Sequence, residues 1–112
     1  PHGLSNAMLL PAVTAFSIEA APDRYADCAR FMGVASAEDS DEVACQKLLD
    51  ELRQLNKDLE VPTPKEYGID KDRYFKLLPT MAQQAQASGS PGNNPRVPTI
   101  EEMVALYEEI WE

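Results

Sequence analysis

The sequence predicts an all-α fold of about five helices, and three observations carry that reading. Apolar residues recur at three- and four-residue steps, as in Val43, Ala44, Leu48, Leu52, Leu55 and Leu59. No stretch alternates apolar and polar residues with the period of two that a half-buried strand requires, and the β-branched residues are scattered. Helix start and stop signals fall at the ends of the periodic runs, Thr99 with Glu102 and Gly33 among them.

The first helix begins where Ser5 or Asn6 can cap it by accepting from a freed backbone N–H. Met8, Leu9, Leu10, Ala12, Val13, Ala15 and Phe16 cover most of its circumference, which predicts a buried helix. Pro11 falls inside it, and its missing N–H predicts a kink. Ala20-Ala21-Pro22 closes this unit and opens the second helix. Pro22 suits the first helical position, Asp23 the positive end of the dipole and Arg30 the negative end. Tyr25, Cys28, Ala29 and Met32 form its predicted apolar face, with Gly33 as a left-handed terminator.

Residues 36–40 form a polar connector. Asp39 and Glu42 have the spacing of a capping box for the third helix, which runs to about Leu59. Its opposite face, with Asp50, Arg53, Asn56 and Lys57, reads as solvated surface. The leucine stripe is too short and too irregular in step for a zipper. Residues 61–68 read as a loop, because Pro62 and Pro64 oppose a helix and Gly68 permits a turn. Asp70 opens the fourth helix, with Tyr74, Leu77, Leu78, Met81 and Ala85 on its stripe and a kink or break expected at Pro79. Residues 88–98 carry three prolines, two glycines and two asparagines, so they form no regular element. Only one helix follows them, which favours a specifically folded loop over a linker. Thr99 and Glu102 cap that last helix, whose buried face is Ile100, Met103, Val104, Tyr107, Ile110 and Trp111, with Trp111 as a packing anchor.

At 112 residues, with 44% hydrophobic and 26% charged residues, the chain is one domain's worth of ordinary globular sequence. The net charge of −9 repels phosphate backbones and anionic lipid, so nucleic acid and membrane surfaces are poor partners. No run approaches the ~18 apolar residues of a membrane span. Cys28 and Cys45 lie on different helices without C-x-x-C spacing, and they read as reduced, half-buried thiols of a reducing, cytoplasmic compartment. The chain starts at Pro1, not Met, which suggests a piece of a longer protein.

Side-chain chemistry needs converging groups, and few are available. His2 is the single histidine, so neither a histidine-pair metal site nor a Ser-His-Asp arrangement with spare partners can form. No glycine-rich phosphate loop follows a strand, and Glu101-Glu102 and Glu108-Glu109 read as solvated carboxylates.

The wording of the chain carries more than its composition. Pro1-His2-Gly3-x-x-Asn6-Ala7-x-x-Leu10-Pro11, then Phe16, Tyr25-Ala26-x-x-Ala29-x-x-Met32-Gly33, and the later Gly92-Asn93-Asn94-Pro95-Arg96 with a terminal tryptophan resemble the iron-containing, group III, alcohol dehydrogenases. The resemblance spans essentially the whole chain. It implies the C-terminal helical domain of a two-domain enzyme, residues 1–112 here, whose nucleotide-binding domain is absent. It also implies an NAD(P) cofactor and a divalent metal, Fe²⁺ or Zn²⁺, held by one aspartate and three histidines. His2 matches the last of those histidines; the other ligands would lie upstream. Gly3 would let backbone pass close to the metal, and Asn6 would hold the turn that aims the imidazole. The loop that carries Ser90 resembles the segment flanking the active-site cleft, which makes Ser90 a candidate pocket residue. On this reading the intact enzyme acts on a small alcohol or aldehyde, and the 112 residues alone hold no metal and turn over no substrate. Faces meant for the missing domain could also self-associate into a homo-oligomer. The rival reading is a helical interaction module that retains an ancestral sequence without its chemistry.

Overall fold

The computed structural model describes residues 2–112, and of His2 the backbone alone. Among the described residues every regular element is helical: α1 (His2–Ile18), α2 (Pro22–Phe31), α3 (Asp41–Asp58), a single turn α4 (Pro64–Tyr67), α5 (Lys71–Ala87) and α6 (Ile100–Glu109), with a 3₁₀ turn at Ser90–Asn93. The predicted all-α class therefore holds, with one short helix more than expected.

Two small cores divide the work of packing. Between α2 and α3, Ala26, Ala29, Ala44, Cys45 and Leu48 are buried, and the three alanines let the two backbones approach closely. Between α5 and the end of α6, Tyr74, Leu78 and Trp111 are buried, with Phe75, Met81, Val104 and Tyr107 packed around them. The Tyr74 and Trp111 rings lie 4.8 Å apart, and Phe75 meets Trp111 edge-on at 5.6 Å. The Tyr74 hydroxyl donates to the Tyr107 carbonyl at 2.6 Å, and burial pushes its pKa up to about 12. Trp111 is thus the anchor its position suggested. Helix α1 packs against both α3 and α6 and joins the two cores.

The apolar circumference of α1 exceeds what its neighbours cover. Its buried residues are Ala12, Thr14 and Ser17, while Leu10 stays 44% exposed. The expectation of a wholly buried helix is therefore corrected. The molecule measures 46 × 30 × 18 Å between Cα extremes, about two helix layers deep, and a slab that thin leaves one side of α1 open. Buried Ser17 is tolerated because its hydroxyl donates to the Val13 carbonyl at 2.8 Å. Ser5 and Asn6 lie inside α1 rather than at its cap, since the helix already begins at His2.

Other local expectations shift by a residue or a turn. Ser40, not Asp39, caps α3: its extended backbone brings Oγ to accept from the Val43 N–H at 3.2 Å. Asp39 instead accepts from the Ser36 N–H at 2.9 Å and pairs with Lys47 at 2.7 Å. The buried face of α2 is Ala26 and Ala29, leaving Cys28 and Met32 in solvent, because α3 meets this helix along its small residues. Leu55 and Leu59, at the far end of the α3 stripe, run beyond the reach of α2 and are exposed. Both thiols are free as expected, but neither is half-buried: Cys28 is exposed, and Cys45 is buried with Sγ 3.2 Å from the Pro22 carbonyl.

Pro64 does not oppose a helix; it starts α4. A proline costs nothing at the first helical position, and Thr63 with Glu66 completes a full capping box around it. Gly68, at φ 94°, then ends the turn. Helix α5 runs unbroken through Pro79, and α6 starts with the predicted Thr99–Glu102 box. Gly33 takes the left-handed conformation expected of it, with φ 77°.

Candidate functional site

The loop after α5 is built, not slack. Gly89 turns the chain at φ 81°, and the 3₁₀ turn Ser90–Asn93 follows. Asn94 then reaches back across 77 positions: its amide lies 2.8 Å from the Ser17 hydroxyl on α1 and donates to the Arg96 carbonyl at 2.6 Å. Arg96 completes the clasp. Its guanidinium pairs with Glu19 and with Glu102, both at 2.7 Å, and donates to the Phe16 carbonyl at 3.3 Å. It also lies 3.9 Å above the centre of the Phe16 ring. The Asn-Pro-Arg string therefore ties the loop to α1 and α6 at once, a role that motif reading alone did not assign to it.

This clasp holds one wall of an open cavity of about 390 Å³ between α1, the end of α5, the loop and α6. Asn6, Leu9, Val13 and Phe16 descend α1 along one side, Met103 and Leu106 close the floor from α6, and Ser88 and Ser90 stand on the loop opposite. The volume falls in the range of small-molecule sites, and the lining is mostly apolar with a few amide and hydroxyl groups.

The sequence-derived candidates fall as follows. Asn6 and Ser90, 84 positions apart, line the same cavity. Asn6 lies four residues after His2, so the two positions share one face of α1. The His2 side chain, and with it the metal-ligand expectation, lies outside the described residues. A Cβ at Gly3 would meet no atom within 4 Å, so no neighbour among the described residues demands glycine there. Among the described residues no three His, Cys, Asp or Glu side chains converge as metal donors.

Helix α1 is also held by a residue of α3. Pro11 has no N–H to give the Ala7 carbonyl, and Asn56 of α3 fills the gap, its Nδ2 donating to that carbonyl at 2.8 Å. Asn56 is half-buried against α1, not part of the solvated face to which its spacing assigned it. The signal that could have found it was the orphan acceptor that any mid-helix proline leaves four residues upstream.

Comparison with known proteins points in one direction. The sequence matches the family described as Fe-containing alcohol dehydrogenase, C-terminal, over residues 1–111. It is 35% identical to the lactaldehyde reductase of Escherichia coli (strain K12) and 30% identical to the NADPH-dependent butanol dehydrogenase of Clostridium saccharobutylicum, covering 99% of this chain in both cases. The fold superimposes on a crystal structure of 1,3-propanediol oxidoreductase with a TM-score of 0.87 at 30% identity, covering 98% of this chain. The chain spans 28% of the length of each of these proteins. No described helix is long and apolar enough to cross a membrane.

Proposed function

The chain belongs to the Fe-containing alcohol dehydrogenase family, as its C-terminal part, and from that membership we propose that it forms one wall of the substrate cleft in an enzyme that passes hydride between a small alcohol and NAD(P). The observation that carries this reading is the cavity itself. It draws Asn6, one turn beyond His2, and the Ser90 loop into one apolar groove. The functional names of the relatives point the same way: two of them reduce lactaldehyde or dehydrogenate butanol, and one of these is NADPH-dependent.

The family implies Fe²⁺, or Zn²⁺ in its place. The described residues do not fit such an ion by themselves, since no three donors converge. His2 is the sole histidine and would add one bond. On this proposal the remaining aspartate and two histidines come from upstream in a longer protein, and no metal-dependent step can be built from this chain alone. What its own residues do is bind and orient. Leu9, Val13, Phe16 and Leu106 enclose the alkyl part of a substrate and exclude water, while Asn6 and Ser90 offer hydrogen bonds to its hydroxyl end. Two free thiols suit the reducing cytoplasm in which we place the enzyme.

The test is made on the intact protein that carries this chain. A panel of small alcohols, assayed with both nicotinamide cofactors, should show hydride transfer, and His2→Ala should lower metal content and turnover together. Wild-type activity in that variant would remove His2 from the metal. Conversely, the 112 residues expressed alone should purify without stoichiometric Fe²⁺ or Zn²⁺. Elemental analysis that found one ion per chain, lost in His2→Ala, would overturn the shared-ligand proposal.

A further inference from the structure

We infer that Asn56 is a positioning residue for the proposed substrate cleft, acting through the backbone hydrogen bond that Pro11 removes from α1. This rests on the dehydrogenase reading for its functional half; its structural half stands alone. The argument starts from an unfilled hydrogen bond. In an unbroken helix the N–H of residue 11 would donate to the carbonyl of Ala7, and proline has none to give. That carbonyl sits one residue after Asn6 and two before Leu9, both on the cavity wall. Left without a donor, the turn would open toward water and take its two wall residues with it.

Asn56 supplies the donor from another helix at 2.8 Å. Its position is well chosen for the task. The first turns of α1 are thinly covered: Gly3, Ser5 and Asn6 are exposed, and Leu4, Ala7 and Met8 are half-buried. The Arg96 clasp fixes the other end of the helix, at Phe16, Ser17 and Glu19. Asn56 thus holds the wall on the side of position 2, and the clasp holds it on the other. The amide also couples α3, which contributes nothing to the cavity lining, to the geometry of the site.

This assignment makes a reciprocal prediction about Pro11. If the role of Asn56 is to replace the N–H that Pro11 lacks, then Pro11→Ala should make Asn56 dispensable, because the restored backbone N–H can itself donate to the Ala7 carbonyl. The experiment uses the intact protein with Asn56→Ala, Asn56→Asp, Pro11→Ala and Pro11→Ala/Asn56→Ala, read by hydrogen–deuterium exchange and by steady-state kinetics with a small alcohol. Asn56→Ala should speed exchange in residues 4–10 by about tenfold. Asn56→Asp, which keeps the shape and loses the donor, should do the same and keeps the test open if the alanine variant fails to fold. The double variant should exchange within about twofold of Pro11→Ala. In the kinetics, KM should rise in Asn56→Ala with kcat changed less, since the wall binds substrate rather than reacting with it, and the double variant should recover KM. Equal acceleration of exchange with and without Pro11, or none in either background, would overturn the inference. Normal exchange coupling with no alcohol turnover in any variant would instead overturn the dehydrogenase reading.

Discussion

Arg96 makes four interactions that no other side chain could make together. A planar fork reaches Glu19 and Glu102 in two directions while its face covers the Phe16 ring. Lysine would keep the charge and lose the fork, so Arg96→Lys should lower the stability of the fold by about 1–2 kcal/mol, read as a drop in thermal midpoint. Glu102 adds a pH dependence whose sign can be worked out. The Thr99 backbone N–H, then the Thr99 hydroxyl and Arg96, hold its carboxyl below the ordinary 4.5. A depressed folded-state value means stability that is fully present above the unfolded value and is lost as pH falls through the folded one. The wild type should therefore exceed Glu102→Gln in stability above about pH 5, and the gap should close as acid titrates the site below 4.5. A gap that widened in acid would contradict the hydrogen-bonded carboxylate. Half of this was legible beforehand. The Thr99–Glu102 box is a local pattern, readable from spacing alone. The bonds from Arg96 to Phe16 and Glu19 join positions about 80 apart, and no local pattern encodes which side chains a fold brings together.

Among the elements, the two helices with an internal proline make a useful contrast. Both α1 and α5 continue through their prolines, so α5 is one helix and not two, and in α1 Asn56 meets the orphan carbonyl. At Pro79 no side chain from another helix donates to the Phe75 carbonyl among the described residues, so α5 bears the missing bond without replacement. Pro79→Ala should then stabilise the fold, by about 1–2 kcal/mol after allowing for the unfolded-state entropy that proline removes. The same exchange at Pro11 should gain less, because its carbonyl is already satisfied. A larger gain at Pro11 than at Pro79 in thermal unfolding would invert this account. The helices themselves were readable because each has its own period and caps. Which face each helix buries was less so. The face predicted for α2 placed Cys28 and Met32 inside, yet α3 approaches along Ala26 and Ala29, and partner choice is a property of the pair rather than of either helix. In the candidate site, the Ser90 loop could be placed near Asn6 only through the family resemblance, since no spacing rule joins residues 84 apart.

The whole molecule is a thin slab that spans 28% of its relatives' length, and its surface reflects both facts. Phe31 is 93% exposed, Leu59 67% and Val97 62%, and one side of α1 lies open. Each such side chain that a second copy covered would recover about 1.5–3 kcal/mol. Expressed alone, the 112 residues should therefore self-associate, with a mass by light scattering that rises with protein concentration. The charge of −9 opposes that association, and screening should relieve it, so added salt should drive the assembly further rather than dissolve it. Ion-pair contacts between copies would respond in the opposite sense, and the salt series separates the two. Replacing Phe31 and Leu59 together with serine removes two of the most exposed apolar groups without touching either buried core. That variant should stay monomeric to several-fold higher concentration while unfolding at a thermal midpoint close to that of the parent. A parent chain that scatters as a monomer at every concentration and salt would show that these side chains are tolerated in water, and that the open side of α1 needs no cover.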